Sequence, residues 1–340
     1  MRPTDVTTIR DVQITRLGLG SAPLGGLFQP VSDDVAYATV VRGYELGLRY
    51  FDTAPLYGYG KAERHFARAL ASFPRSSFSL TTKVGRLLRD TSIGDSKYDV
   101  DTTQFFEGSP FYKNTGTEIP VFDYSYDGAM RSFEESLARL NLDYVDIVHV
   151  HDPEDHIDEA LTGACRALVD LRGQGVVGAV GIGTDYSEPA VRFVEETDVD
   201  CVLIAGRWTL LDQDALRELL PKALARKVKV IVAGAYNSGV LASPGDDATF
   251  DYAPCPPHIK DRALAMEQVC ARFEVPLKAA ALQFPYRHPA VASVVVGARS
   301  PAEIEENVRL AGIEIPDELW HALNEDCQVP LVEANDSLLS

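Results

Sequence analysis

A (β/α)₈ barrel is the fold this sequence predicts, and three observations predict it. Eight short apolar runs rich in Val and Ile recur along the chain, as suits strands buried on both faces of a parallel sheet. Apolar stripes at helical spacing fall between those runs. Polar residues able to react stand at the ends of several runs, where barrel enzymes place their chemistry.

Taken in order, residues 6–14 alternate weakly and predict a hairpin capping the barrel floor. The strands follow at 17–20, 49–53, 79–84, 144–151, 177–183, 201–207, 229–234 and 292–297. Val40, Val41, Tyr44 and Leu48 form the first helical stripe, and Met130, Phe133, Leu137 and Leu140 another. Leu161, Cys165, Leu168 and Leu171 continue the pattern, as do Leu216, Leu219 and Ala223, then Met266, Val269, Cys270 and Phe273. An open doubly wound sheet could also hold eight strands, but it wants a phosphate-binding glycine turn after the first. Gly18-Leu19-Gly20-Ser21-Ala22-Pro23 lacks the third glycine of that turn.

Residues 85–124 interrupt the alternation after the third strand, and an insertion of this length at a strand's C-terminal end predicts a lid. With no linker or low-complexity tract in between, residues 1–340 form one domain: a core of about 15–312, the insertion, and a tail 313–340. The tail carries one helical stretch, 317–325, and then a mobile end.

A net charge of −18 and pI near 4.8 argue against nucleic acid or an anionic membrane as partner, since both need a basic face. Five cysteines, widely spaced and without a CxxC, argue against a disulfide framework or a zinc site and fit a reducing cytosol, so a cytoplasmic location is expected. No apolar run reaches the length of a membrane span, and the first ten residues carry no signal-peptide core.

Asp52, Lys83 and His151 end otherwise apolar strands, and Tyr57 follows Asp52 by one short loop. Each alone reads most simply as a satisfied buried ion pair or a histidine bonded to backbone. Together they would bring an acid, a lysine, a phenol and an imidazole to one barrel mouth. Burying such charges costs several kcal/mol each unless they interact. A phenol near pKa ~10 is a poor base at neutral pH. A nearby ammonium should lower it, and a carboxylate should keep the ammonium charged. Tyr57 would then carry the proton, Lys83 tune it, Asp52 anchor Lys83, and His151 orient the substrate oxygen. His149 shares the face of His151 and reads as a deeper structural residue rather than a metal ligand, because no carboxylate or thiolate of ligand spacing accompanies it. No metal is expected.

Phe51-Asp52-Thr53-Ala54-Pro55-Leu56-Tyr57-Gly58, Thr82-Lys83 and His151-Asp152-Pro153 resemble the signature set of the aldo-keto reductase family. The resemblance runs from about Leu17 to Leu310, and Arg131-Ser132-Phe133-Glu134-Glu135-Ser136-Leu137 strengthens it. It implies a (β/α)₈ barrel and an extended nicotinamide cofactor, with Asp52 also touching the nicotinamide ribose. Asp123-Tyr124-Ser125-Tyr126-Asp127 and the His-Asp-Pro ending resemble the aldose 1-dehydrogenase branch, which includes L-fucose, D-arabinose and D-galactose dehydrogenases and pyridoxal 4-dehydrogenase.

The resemblance places Thr184 and Asp185 at the carboxamide site, where Ser-Asn is usual, and Asn237, Ser238, Gly239 and Leu241 at the pyrophosphate loop. Glu306 and Asn307 fall on adenine-contacting positions. The tyrosine that stacks on nicotinamide is missing near Ala233, with Tyr236 or Trp208 as substitutes. Family members that prefer NADP carry basic residues where this chain has Gly297 and Glu303. A carboxylate repels a 2′-phosphate, so NAD is favoured over NADP, with Arg299 the one cation nearby. Ser300-Pro301-Ala302-Glu303 also reads as a capping box. Phe28, Tyr59, Trp208 and the insertion are the expected substrate determinants, beside Tyr57 and His151.

Tyr57 to Lys61 spells YxxxK, but its two glycines preclude the helix that motif needs. The expected activity is NAD-dependent oxidation of an aldose at its anomeric carbon to a lactone, with pyridoxal oxidation or aldehyde reduction as alternatives. From other classes, a nicotinamide-binding regulatory subunit and a cofactor-free barrel lyase or isomerase stay open. Oligomeric state is not legible.

Overall fold

The apolar runs pair as a closed parallel ring in the computed structural model, which describes residues 2–90, 98–103, 105–106, 109–113 and 115–332. The barrel strands are β1 (Leu17–Gly20), β2 (Tyr50–Asp52), β3 (Ser79–Val84), β4 (Ile147–His151), β5 (Ala179–Thr184), β6 (Cys201–Ala205), β7 (Lys229–Ala233) and β8 (Val291–Gly297). Each pairs with the next, and β8 returns to β1. Around them lie α1 (Asp33–Glu45), α2 (Lys61–Leu70), α3 (Tyr126–Leu140), α4 (Cys165–Gly173), α5 (Ser187–Glu196), α6 (Leu219–Ala225), α7 (Pro257–Ala271), α8 (Leu277–Gln283), α9 (Pro301–Ala311) and α10 (Asp317–Cys327). All eight expected strands are present; the end of the tail, 333–340, falls outside the described residues.

Two apolar layers follow from the strand period of two. The outer one packs strands against helices. The inner one fills the barrel with Tyr50, Ile147, Ala179, Cys201, Leu203, Ile231, Ala292 and Val295. Ile9, Val12 and Ile14 join it from a hairpin of Val6–Ile9 and Val12–Thr15, which closes the floor.

The insertion is more ordered than its sequence suggests. Arg86–Asp90 pairs antiparallel with Glu118–Phe122. The alternation expected of such a stem is hidden, because Arg86, Leu87 and Leu88 are consecutive and all buried. Residues 111–113 cross the loop after β1: Phe28 N donates to the Phe111 carbonyl at 2.8 Å and Lys113 N to the Gly26 carbonyl at 3.0 Å. Whether the whole insertion closes as a lid falls partly outside the described residues.

Gly85 sets the turn from β3 into this stem. Its φ is +108°, and a Cβ there would lie 2.2 Å from Tyr124 Cε1. Gly85→Ala is expected to destabilise by about 2–4 kcal/mol through strain and overpacking, read as a lowered urea midpoint with unchanged slope.

Candidate active site

β2, β3 and β4 lie side by side and deliver three polar groups to the open end of the barrel. Lys83 Nζ donates to Asp52 Oδ1 at 2.9 Å, Oδ2 at 2.8 Å and the Thr53 carbonyl at 3.0 Å. Lys83 is 1% exposed and Asp52 3%, so the pair is satisfied by itself and the Thr53 carbonyl rather than by solvent. Nζ also sits 4.8 Å from the Tyr57 ring centroid. That ring meets His151 edge to face, centroids 5.6 Å apart. The four side chains expected to act together are therefore one cluster.

Space for the cluster comes from β5. In register, His149 stands beside both Lys83 and Gly181, and His151 beside Gly183. A Cβ on Gly181 would lie 2.2 Å from the Cys201 carbonyl and 2.7 Å from His149 Cδ2. One on Gly183 would touch the Lys83 stem at 3.4 Å. His149 occupies the deeper layer, its Nε2 3.3 Å from Cys201 Sγ. Among the described residues no group of His, Cys, Asp and Glu is arranged to hold a metal ion.

The electrostatics depart from expectation in one respect. Lys83 was expected to lower the Tyr57 phenol. Instead burial, and then Asp52, push it well above 10. The reason is geometric: Asp52 cancels the ammonium charge, and all three Lys83 N–H donors are already engaged. His151 is held well below the usual imidazole range by burial and by Arg86, Lys83 and His149, so it is neutral. Its Nε2 lies 3.4 Å from Asp152 Oδ2, a carboxyl that burial pushes well above the usual carboxylate range, and Nδ1 is buried without a partner.

These groups line one end of a cleft of about 1020 Å³ that runs along β5–β8 to Arg299, Glu303, Glu306 and Asn307. That lies at the upper limit of the roughly 300–1,000 Å³ of small-ligand sites, enough for a dinucleotide and a small second ligand. Asn237, Ser238 and Gly239 line its middle, and Asn237 Oδ1 is buried there without a partner. Thr184 and Asp185 line it near β5. Thr184 Oγ1 donates to Glu154, and burial raises the Asp185 carboxyl to about 6, Arg207 opposing. Gly297 lines it too, with Pro23 where a Cβ would go. Phe28, with Phe111 and Tyr252 at 5.8 and 6.1 Å, forms an aromatic wall opposite.

Three expected site residues stand elsewhere. Trp208 is fully buried outside the cleft, its Nε1 donating to the Pro285 carbonyl at 2.9 Å and its ring on Phe284, so it is neither a substrate contact nor a nicotinamide platform. Tyr59 lies behind the wall, packed on Tyr112 at 6.1 Å. Leu241 belongs to the outer apolar core. Tyr236 does line the cleft, but its hydroxyl donates to Asn307 Oδ1 at 2.9 Å, toward α9. Sequence reasoning missed Tyr112 and Arg86, both cleft-lining.

A family model described as the aldo/keto reductase family matches residues 16–326. The chain is 41% identical over 324 residues to pyridoxal 4-dehydrogenase of Microbacterium luteolum, covering 92% of this chain and 94% of that one. It is 39% identical over 327 residues to D-threo-aldose 1-dehydrogenase of a Pseudomonas species, covering 93% and 95%. L-galactose dehydrogenase of Arabidopsis thaliana is 30% identical over 303 residues, covering 87% and 84%. Among solved structures, a glycerol dehydrogenase from Gluconobacter oxydans shares the fold with a TM-score of 0.75 at 23% identity, over 98% of each chain.

Proposed function

The chain belongs to the aldo/keto reductase family, whose members use nicotinamide cofactors, and from that premise we propose that it oxidises a cyclic hemiacetal to a lactone with NAD as acceptor. The observation that carries this reading is the single cluster of Asp52, Lys83, Tyr57 and His151 at the end of a cleft long enough for a dinucleotide. An aldose closes a ring through one of its hydroxyls onto its aldehyde carbon. So does pyridoxal, whose aldehyde neighbours a hydroxymethyl group. The substrates named for the two similar dehydrogenases thus share one reacting unit, a ring carbon bearing O–H and H.

In the proposed reaction the ring hydroxyl lies between Tyr57 and the His151 ring. Tyr57 takes the hydroxyl proton as the C–H bond gives up its hydride. His151, neutral, donates to the oxygen as negative charge develops there. Lys83 and Asp52 hold the charge pattern behind the phenol. Asn237, Ser238 and Gly239 in the middle of the cleft and Glu306 and Asn307 at its far end would hold a nicotinamide cofactor, which would supply the hydride acceptor. An aldose is the first reading of the substrate; pyridoxal is favoured by one observation, the wall of Phe28, Phe111 and Tyr252 on which a flat ring could stack.

NAD is preferred because, among the described residues, both cations lining the far end of the cleft are already engaged. Arg299 Nε lies 3.6 Å from Glu303 Oε1, and Lys278 Nζ 2.8 Å from Glu306 Oε2. A 2′-phosphate would meet two carboxylates there, a ribose hydroxyl an acceptor. Ser300 caps α9, its Oγ accepting from Glu303 N at 3.2 Å, and the Glu303 carboxylate accepts from Arg299 N at 2.8 Å. Glu303→Arg is expected to shift the kcat/KM ratio toward NADP by about tenfold or more; an unchanged ratio removes the charge argument.

Incubating the protein with NAD and a panel of aldoses plus pyridoxal, with NADH absorbance and product mass as readouts, tests the activity. A lactone is expected. Preference for aldehydes unable to ring-close would refute hemiacetal oxidation. Tight NAD binding without turnover on any substrate would favour a regulatory subunit, and failure to bind either cofactor a lyase or isomerase.

A further inference from the structure

We propose that Arg86 is a positioning residue for His151, and that the insertion acts on the reaction through it, with Asp101 as the buried counter-ion. The inference rests on the reading above in taking His151 as the group beside the reacting oxygen.

The contacts of Arg86 carry it. Arg86 leaves β3 just beyond Gly85 and is buried, as is Asp101. Its Nε donates to Asp101 Oδ2 at 2.7 Å, which fastens the insertion to the end of the barrel. Asp101 Oδ1 is itself engaged, accepting from Thr103 N at 2.9 Å and Thr103 Oγ1 at 2.6 Å. An ion pair serving only to hold the insertion would be complete at this point.

The guanidinium goes further. Its Nη1 donates to the carbonyl of His151 itself at 2.8 Å. The Tyr124 hydroxyl reaches the same carbonyl at 2.5 Å from the far border of the insertion. The last carbonyl of β4 is thereby gripped from both ends of the inserted segment, where the chain turns through Asp152 at φ +41°. Nη1 also lies 3.8 Å from Asp152 Oδ2, the oxygen that faces His151 Nε2. One cation therefore fixes the backbone of His151 and balances the carboxylate beside its ring.

Lys83 from β3, Arg86 beyond it, His149 on the same strand, Tyr57 from the loop after β2, and Asp152 are the titratable and charged groups facing the His151 ring. Asp152 gives a protonated imidazole little support, because burial pushes its own carboxyl well above the usual carboxylate range and Arg86 is the main group holding it down. Arg86 and Lys83 oppose protonation of the ring, and Lys83 is already matched by Asp52. Loss of Arg86 removes the largest charge that opposes protonation of the ring, so His151 should protonate at higher pH.

The test uses Arg86→Gln combined with Asp101→Asn, which removes both buried charges together so that neither is stranded. The first readout needs no substrate: the His151 resonance in carbon-13 histidine NMR, assigned with His151→Gln. Its midpoint should rise by about one unit or more. The second is kinetic. kcat should fall by about tenfold to a hundredfold with the NAD dissociation constant unchanged, because no Arg86 contact reaches the NAD-binding stretch. Arg86→Lys keeps the charge but not the fork, so it should leave the His151 midpoint low and recover only part of kcat.

A folded double variant with native kcat and native His151 titration overturns the proposal. So does kcat loss that comes with equally weakened NAD binding and no change at His151. If the double variant does not fold, Arg86→Lys decides: native kcat in that variant refutes the positioning role, and reduced kcat with native NAD binding supports it. If the protein turns over no hemiacetal, the NMR arm still tests the Arg86–His151 coupling while the proposed activity fails separately.

Discussion

Tyr57→Phe is expected to lower turnover by about 10²–10⁴-fold while NAD still binds. The substitution removes one oxygen and keeps the ring that packs on His151 and under Lys83 Nζ. Calorimetry should therefore show cofactor affinity near native, and thermal unfolding a near-native midpoint. Retained turnover would remove Tyr57 from the chemistry. The pH dependence of the native enzyme follows from the same group. Burial and Asp52 keep the phenol protonated through neutral pH. Carbonyl reduction consumes the phenol, which is fully present below the raised pKa, so its rate should be flat across neutral pH. Hemiacetal oxidation consumes the scarce phenolate, so kcat/KM should climb about tenfold per pH unit below that pKa. A flat profile for oxidation would show that the base is another group.

Lys83→Met is expected to cost about 3–5 kcal/mol of stability at neutral pH, because it strands the Asp52 carboxylate in the barrel interior. Burial already pushes the Asp52 carboxyl up, and Lys83 is what pulls it back. Without the lysine the folded-state pKa rises further above the unfolded value. The penalty is then fully present above the folded pKa and disappears as pH falls through it, when Asp52 takes a proton. The gap between native and variant melting temperatures should narrow in acid. Asp52→Asn combined with Lys83→Met should recover stability at neutral pH without recovering turnover. A constant gap at all pH values would mean that Asp52 is not the stranded charge.

The strands were legible because a strand buried on both faces is dominated by apolar residues, as Val230-Ile231-Val232-Ala233 and Val294-Val295-Val296 are. Asp52, Lys83 and His151 stood out for the same reason, as polar breaks at the ends of apolar runs. The insertion was not legible as strand, because Arg86 looks like a solvated charge until Asp101 and the His151 carbonyl are brought to it. An arginine directly after a lysine-terminated strand and a glycine was the available signal. Trp208 and Leu241 were misassigned by loop position: residue type gives apolarity but not which wall of a loop faces the cleft, and Trp208 is satisfied by a carbonyl 77 residues away. Tyr59 missed by one layer, with Tyr112 of the insertion between it and the ligand space.

The bare inner face of β5 bears on any attempt to move this chemistry to another scaffold. A recipient barrel given the same acid, phenol, lysine and imidazole would still jam if the adjoining strand carried an ordinary side chain at the position of Gly181. Alanine there already collides with main chain that cannot yield. A transplant therefore has to copy the vacancy at Gly181 along with the reactive groups, and selection for function in a recipient should recover glycine there before it improves anything else.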